Sequence, residues 1–114
     1  MRTGVHYLES LRDGREIYLD GERVGDVTRH PAFAAAARTI AGLYDLAAEQ
    51  RDEMTYPSPE TGEPVLRCYM MPRSIEDLRQ RRTMISRWAD ATYGLMGRAP
   101  DHVAGFLAGF ASAP

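Results

Sequence analysis

WADATYGLMGRAPDHVAGFLAGF, residues 88–110, holds the end of one helix, a stop, a short polar turn and the start of another helix. Gly97 can end the first helix because glycine takes left-handed backbone angles at little cost. Pro100 suits the first turn of the second, where its missing N–H would have had no partner anyway. After Gly97 and spanning Pro100 run Arg98, Ala99, Pro100, Asp101 and His102, which bring a guanidinium, a carboxylate and an imidazole into one turn. The start of a helix leaves N–H groups unpaired and attracts anions, so an oxygen-bearing or negatively charged ligand could be held there. The helix that follows presents Val103, Phe106, Leu107 and Phe110 on one face and Ala104, Gly105, Ala108 and Gly109 on another. Each glycine inside a helix costs about 0.5–1 kcal/mol against alanine. Two of them imply a backbone packed closely against the small face. The large apolar face needs a partner that the preceding residues barely supply, and the chain is therefore expected to be part of something larger.

Working back toward the N-terminus, Ser74-Ile75-Glu76-Asp77 has the pattern of a helix start, a serine followed by acids that complement the dipole. This third helix is expected to run to about Met96, over roughly 30 Å. Its buried stripe is expected to be Leu78, Ile85, Trp88 or Ala89, and Leu95 or Met96. Arg79, Arg81, Arg82 and Arg87 read as a solvated or interfacial face, since the overall balance is acidic and no aromatics interleave them. From Arg51 to Pro72 the chain is irregular, with prolines at 57, 59, 64 and 72, a Glu60-Thr61-Gly62-Glu63 turn, and short extended pieces at Met54–Tyr56 and Val65–Met70.

Earlier still, Phe33, Ala36, Ala37, Ile40, Leu43, Tyr44 and Ala47 recur at three-and-four spacing behind Pro31, which predicts a second helix. Glu16 to Val24 reads as a hairpin about Asp20-Gly21, a dipeptide that readily takes the positive angles of a tight turn. Thr3 is a plausible cap for a first helix reaching about Asp13, with Val5, Leu8 and Leu11 or Tyr7 inward. The class that emerges is mainly α with a small β-hairpin.

At 114 residues the chain is one domain at most, residues 1–114. A net charge of -2 gives no global basic field, so neither nucleic acid nor an anionic membrane is an expected partner. All 14 basic residues are arginine. A single cysteine, Cys68, excludes an internal disulfide and a cysteine-rich metal site. The histidines His6, His30 and His102 are far apart in sequence and no metal site is expected. With no signal-peptide pattern and no apolar run of membrane-spanning length, a soluble cytoplasmic protein is expected.

Three blocks, TGVHYLESLRDGREIYLDGERVGDVTRHPAF from Thr3, MTYPSPETGEP from Met54 and GLMGRAPDHVAGFLAGF from Gly94, stand in an order that resembles the 4-hydroxyphenylacetate 3-hydroxylase family. These are oxygenase components of two-component, reduced-flavin-dependent phenol monooxygenases. The resemblance runs from about Arg2 to Ala111 and implies the N-terminal helical region of an acyl-CoA dehydrogenase-like flavoprotein fold. Its flavin-binding β domain and C-terminal helical bundle would lie in a missing downstream segment, together with most cofactor-binding residues. It further implies ortho-hydroxylation of a phenol with O2 and FADH2, a flavin reductase as partner, and a homo-oligomer. FAD would not bind this piece tightly alone.

By the same resemblance, Arg98 matches the arginine of the Gly-Arg-x-Pro-Asp motif that lies beside substrate and flavin. His102 stands where the family's phenol hydroxylases usually have a tyrosine that contacts the substrate hydroxyl. Arg98 and His102 are then the catalytic candidates, and Arg98, Ala99, Pro100, Asp101 and His102 the substrate-binding ones. A tyrosine is a neutral donor at pH 7, whereas imidazole can also accept a proton, so the resemblance does not carry 4-hydroxyphenylacetate over as the substrate. The 4-hydroxybutyryl-CoA dehydratase branch also needs an iron–sulfur cluster, for which Cys68 alone is insufficient. Read from the residues alone, Arg98 could simply pair with Asp101 while His102 sits exposed. A competing class remains: a non-enzymatic helical protein that dimerises or docks through its apolar last helix.

Overall fold

Local capping chemistry starts most of the helices. The computed structural model describes residues 1–96 and 100–113, residues 100 and 101 by their backbone alone. The chain divides into two compact units, Arg2–Glu49 and a second from Gln50 onward.

In the first unit, helix α1 spans Gly4–Ser10. Thr3 caps it as expected, accepting from His6 N–H, while the His6 ring reaches back to Thr3 N–H in a capping box. The helix ends at Ser10, short of Asp13, and Val5 is 62% exposed rather than inward. Its buried residue is Gly4, whose N–H donates to Asp45 Oδ1 at 2.8 Å. Strands β1 (Ile17–Leu19) and β2 (Glu22–Val24) pair antiparallel with Ile17 opposite Val24. Asp20 and Gly21 between them both have positive φ, 52° and 84°, as the two-residue turn requires.

Helix α2 spans Pro31–Glu49, with Pro31 in its first turn. The His30 ring accepts from Ala32 N–H, which fills one of the donors a helix start leaves open. Its buried residues are Ala34, Ala37, Ala41, Leu43 and Ala47, so the inward stripe is rotated from the expected one and Ala36 is exposed. The reason is α1: a glycine face against an alanine face lets two backbones approach, and the larger residues are pushed to the sides. Tyr7 and Tyr44 stack at 5.2 Å beside that contact.

In the second unit, a single turn of helix α3 (Arg51–Met54) leads into strand β3 (Thr55–Pro57), which pairs antiparallel with β4 (Pro64–Leu66). The stretch read from sequence as irregular thus contains a second hairpin, closed by Ser58 N–H to Glu63 C=O and by Gly62 at φ 73°. A 3-10 turn, Arg67–Tyr69, follows. Arg67 holds this region together by donating to the carbonyls of Asp52, Glu53 and Thr55 at 3.0, 3.2 and 2.6 Å, and to the Gln80 side chain.

Helix α4 spans Ile75–Ala91, opened by the Ser74–Asp77 capping box. It stops five residues before Met96. Gly94 N–H bonds Ala89 C=O and Tyr93 N–H bonds Asp90 C=O, the paired bonds of a Schellman ending with Tyr93 at φ 53°. The expected stop at Gly97 lies outside the described residues. The buried stripe of α4 also differs: Met84 and Trp88 are inside, whereas Leu78 is 54% and Leu95 85% exposed. Helix α5 spans Pro100–Ser112 and, like α4, packs on the Arg67–Tyr69 turn. Its small face is the buried one, with Ala104 at 0% and Ala108 at 4% exposure. Val103, Phe106, Leu107 and Phe110 are 56–76% exposed. Among the described residues, no helix is long and apolar enough to cross a membrane.

Candidate functional site

Of the five residues expected to form the site, Arg98 and Ala99 lie outside the described residues. Pro100 and Asp101 open α5, with only their backbone described. His102 is exposed in the first turn of α5, and its ring meets Phe106 edge to face at 4.9 Å and 85°. That contact is the ordinary consequence of i, i+4 spacing on a helix, and it steadies the imidazole.

His102 and Phe106 border an open cleft of about 540 Å³ whose other walls are Leu78, Arg81, Arg82 and Ile85 on α4 and Gly105 on α5. Leu78, Ile85 and Phe106 make it apolar, and Arg81 and Arg82 add two guanidinium groups. None of the lining residues among those described is acidic. Among the described residues, the ion pairs of α4 are Arg79 with Glu76 at 3.7 Å and Arg87 with Glu53 at 2.7 Å; Arg81 and Arg82 have none. A Cβ on Gly105 would stand 3.1 Å from Nη2 of Arg81, the far end of a flexible side chain. From sequence both arginines read as part of a solvated or interfacial face, and here they border the α4–α5 cleft. The available signal was a helix glycine facing an arginine, which becomes visible only once α4 and α5 are known to be neighbours.

A second cavity, about 450 Å³, lies in the first unit and is lined in part by Arg12, Arg15 and Arg23. Each of those is neutralised, by Asp26, Asp13 and Glu16 at 3.2, 2.6 and 3.5 Å. The Arg15 side chain holds the Asp13 carboxyl down at about 2. Arg87 likewise holds Glu53 below its ordinary range. Arg81 and Arg82 of the α4–α5 cleft have no such partners among the described residues.

His6 and His30 serve as helix-start partners, and no group of three or more potential metal ligands exists among the described residues. Cys68 is fully buried. Trp88 Nε1 is buried without a hydrogen-bond partner in the described part of the chain.

The family described as 4-hydroxyphenylacetate 3-hydroxylase N terminal matches residues 3–114. The pyoverdin chromophore biosynthetic protein PvcC of Pseudomonas aeruginosa is 51% identical over 96% of this chain and 22% of its own length. A Streptomyces globisporus monooxygenase for a carrier-protein-linked (3S)-3-amino-3-(3-chloro-4-hydroxyphenyl)propanoyl group is 49% identical over 92% of this chain and 20% of its own. The chain thus spans about a fifth of the length of these relatives. Among solved structures, the oxygenase component of 4-hydroxyphenylacetate 3-monooxygenase complexed with FAD and 4-hydroxyphenylacetate superposes with a TM-score of 0.82. It is 37% identical and covers 90% of this chain and 22% of that one. The mainly helical fold with small antiparallel sheets is the fold of these flavoproteins' N-terminal region. On the match over residues 3–114, the chain belongs to the 4-hydroxyphenylacetate 3-hydroxylase N-terminal family.

Proposed function

We propose that this chain is the N-terminal helical domain, residues 1–114, of a reduced-flavin-dependent phenol monooxygenase, and that it supplies one wall of the substrate pocket. The observation that carries the reading is the family match over residues 3–114. Supporting it is His102, which borders an apolar cleft one helical turn from Phe106. A phenol fits that cleft: its ring suits Leu78, Ile85 and Phe106, and its hydroxyl can reach an imidazole.

The same residues do not fit FAD as a whole. Among the described ones there is no glycine loop of the kind that cradles phosphates. The cofactor therefore belongs, in this reading, to a whole protein about five times longer, by comparison with relatives of which this chain covers 22% and 20%. A reductase would furnish the FADH2, as the description of a neighbour as an oxygenase component suggests. A cytoplasmic homo-oligomer is the assembly we assign to the complete enzyme. Its further polypeptide would cover the exposed Val103, Phe106, Leu107 and Phe110 face.

The chemistry assigned to this chain's own residues is proton and charge management. A phenol becomes a better carbon nucleophile at its ortho position as its proton leaves. His102 would accept or hydrogen-bond that proton. Arg98, always charged, would stabilise the developing phenolate. The apolar walls would keep water from competing. The test uses the whole oxygenase with its reductase. Arg98→Ala and His102→Phe should each lower phenol hydroxylation per FADH2 consumed, by about 10²-fold. Unchanged product formation in both would end the assignment.

Exposure of the α5 apolar face favours a second reading, a non-enzymatic module that docks through that helix. Flavin titration together with size-exclusion chromatography separates the two. A stable dimer that remains inert to FADH2 and phenol, even when joined to its full downstream sequence, would support docking.

A further inference from the structure

Tyr93 and Leu95 are the most exposed large apolar side chains among the described residues, at 91% and 85%. Both stand on the turn that closes α4, in a run, Tyr93 to Met96, that carries no charge. The backbone beneath them is not loose. Thr92 N–H donates to the carbonyls of Trp88 and Ala89 at 3.2 Å, Tyr93 N–H to Asp90 at 3.3 Å, Gly94 N–H to Ala89 at 2.8 Å and Leu95 N–H to Thr92 at 3.0 Å. Thr92 is buried, and its hydroxyl donates to the Trp88 carbonyl at 2.8 Å, so the turn is fastened from within.

Tyr93 nevertheless sits at φ 53°, a left-handed conformation disfavoured for an L-residue and easier for glycine or asparagine. Within the described chain the tyrosine ring offsets none of that strain, because it lies almost wholly in water. A strained residue that its surroundings hold in place points to a use for the conformation. Here the result is an aromatic and an aliphatic side chain displayed together on a rigid support.

We propose that Tyr93 and Leu95 form an apolar anchor that seats in a recess of the polypeptide following residue 114 in the complete protein. The proposal rests on the preceding reading in one respect, that the chain continues. Two observations select this occupant. The relatives of which this chain spans 22% and 20% hold about four-fifths of their length outside the matched region. Polypeptide joined to the chain meets the anchor at an effective concentration that a separate molecule does not reach. The anchor is also uncharged, which calls for an apolar recess rather than a charged surface. A turn already fixed by its own hydrogen bonds loses little freedom on docking.

The test compares this chain with the complete protein. Hydroxyl-radical footprinting should modify Tyr93 and Leu95 readily in this chain and spare both in the complete protein, at every protein concentration. Melting temperatures should then move in opposite directions. Tyr93→Gly relieves the left-handed strain and should raise the melting temperature of this chain by about 2–6 °C, yet lower that of the complete protein by a similar amount. Leu95→Ser, which leaves the backbone alone, should not change this chain and should lower the complete protein. Equal modification in both forms, or shifts of the same sign in both, would overturn the proposal. Protection that disappears on dilution would also overturn it, because the occupant would then be a second copy. The footprint and the melts read no activity, so they are separable from the hydroxylation reading. A complete protein that hydroxylates phenols while Tyr93 stays open sinks the anchor alone; one that protects Tyr93 but hydroxylates nothing sinks the other reading alone.

Discussion

Gly4 and Asp45 are joined by a backbone-to-carboxylate hydrogen bond of 2.8 Å across 41 positions of sequence. The absence of a side chain at Gly4 makes this contact possible. A Cβ there would lie 2.6 Å from the carbonyl oxygen of Ala41 and would also overlap the Asp45 carboxylate. The substitution Gly4→Ala should therefore separate α1 from α2 despite alanine's better helix propensity. We expect a loss of about 1–3 kcal/mol, the usual cost of overpacking, measured by urea unfolding. An unchanged or increased stability would mean that the two helices do not approach as described.

Arg67 closes the second unit through three backbone carbonyls, those of Asp52, Glu53 and Thr55, and the Gln80 side chain. Lysine keeps the charge but cannot reproduce a planar fork of donors. Arg67→Lys should cost about 2–4 kcal/mol, because several carbonyls lose a charged donor together. Hydrogen exchange should then quicken in Thr55–Pro57 before it does in α2. Equal loss of protection in both places would show that Arg67 acts globally.

The Asp77 carboxylate accepts from the N–H groups of Arg73 and Ser74 at 2.8 and 3.0 Å. These bonds, that from Arg73 foremost, lower its pKa from the ordinary 3.8. A depressed folded value means that the unfolded chain binds the proton more readily. The contribution is complete above 3.8 and is lost as pH falls through the lower, folded value. Asp77→Asn should therefore narrow the difference in stability between neutral and acid pH. Identical acid sensitivity in the variant and the parent would remove Asp77 from the account.

The two faces of α5 should respond oppositely to substitution. Ala104 is wholly buried, and Ala104→Leu should destabilise by about 1–3 kcal/mol through overpacking. Phe106 is 57% exposed, and Phe106→Ser should change stability by no more than about 0.5 kcal/mol. Thermal melts of the two variants decide the matter. A reversed order would mean that the large apolar face, rather than the small one, is packed within the chain.

Local chemistry was legible in the residues themselves. Thr3 and Ser74 start their helices, Pro31 and Pro100 occupy first helical turns, and Asp20-Gly21 turns the hairpin. Each of these outcomes depends on hydrogen-bonding groups and backbone angles within a few positions, so periodicity and capping rules reach them. The three quoted blocks carried the family for the same reason: they are contiguous strings. Of the candidate site, the sequence singled out His102, and the structure sets it on the edge of a cleft.

Tertiary structure decided what depends on distant partners. Which stripe of α2 is inward followed from the approach of Gly4, 41 positions before Asp45. The end of α4 at Ala91 required Tyr93 to take a left-handed conformation that its side chain disfavours, which no rule of composition foretells. The second hairpin depended on Arg67 reaching back 12 to 15 positions. Arg81 and Arg82 read from sequence as a solvated or interfacial face, and only the packing of α5 shows that Gly105 and His102 lie beside them. Short-range preferences choose the elements, whereas steric contact between elements far apart in sequence chooses the faces they present, and a binding cleft is made of faces.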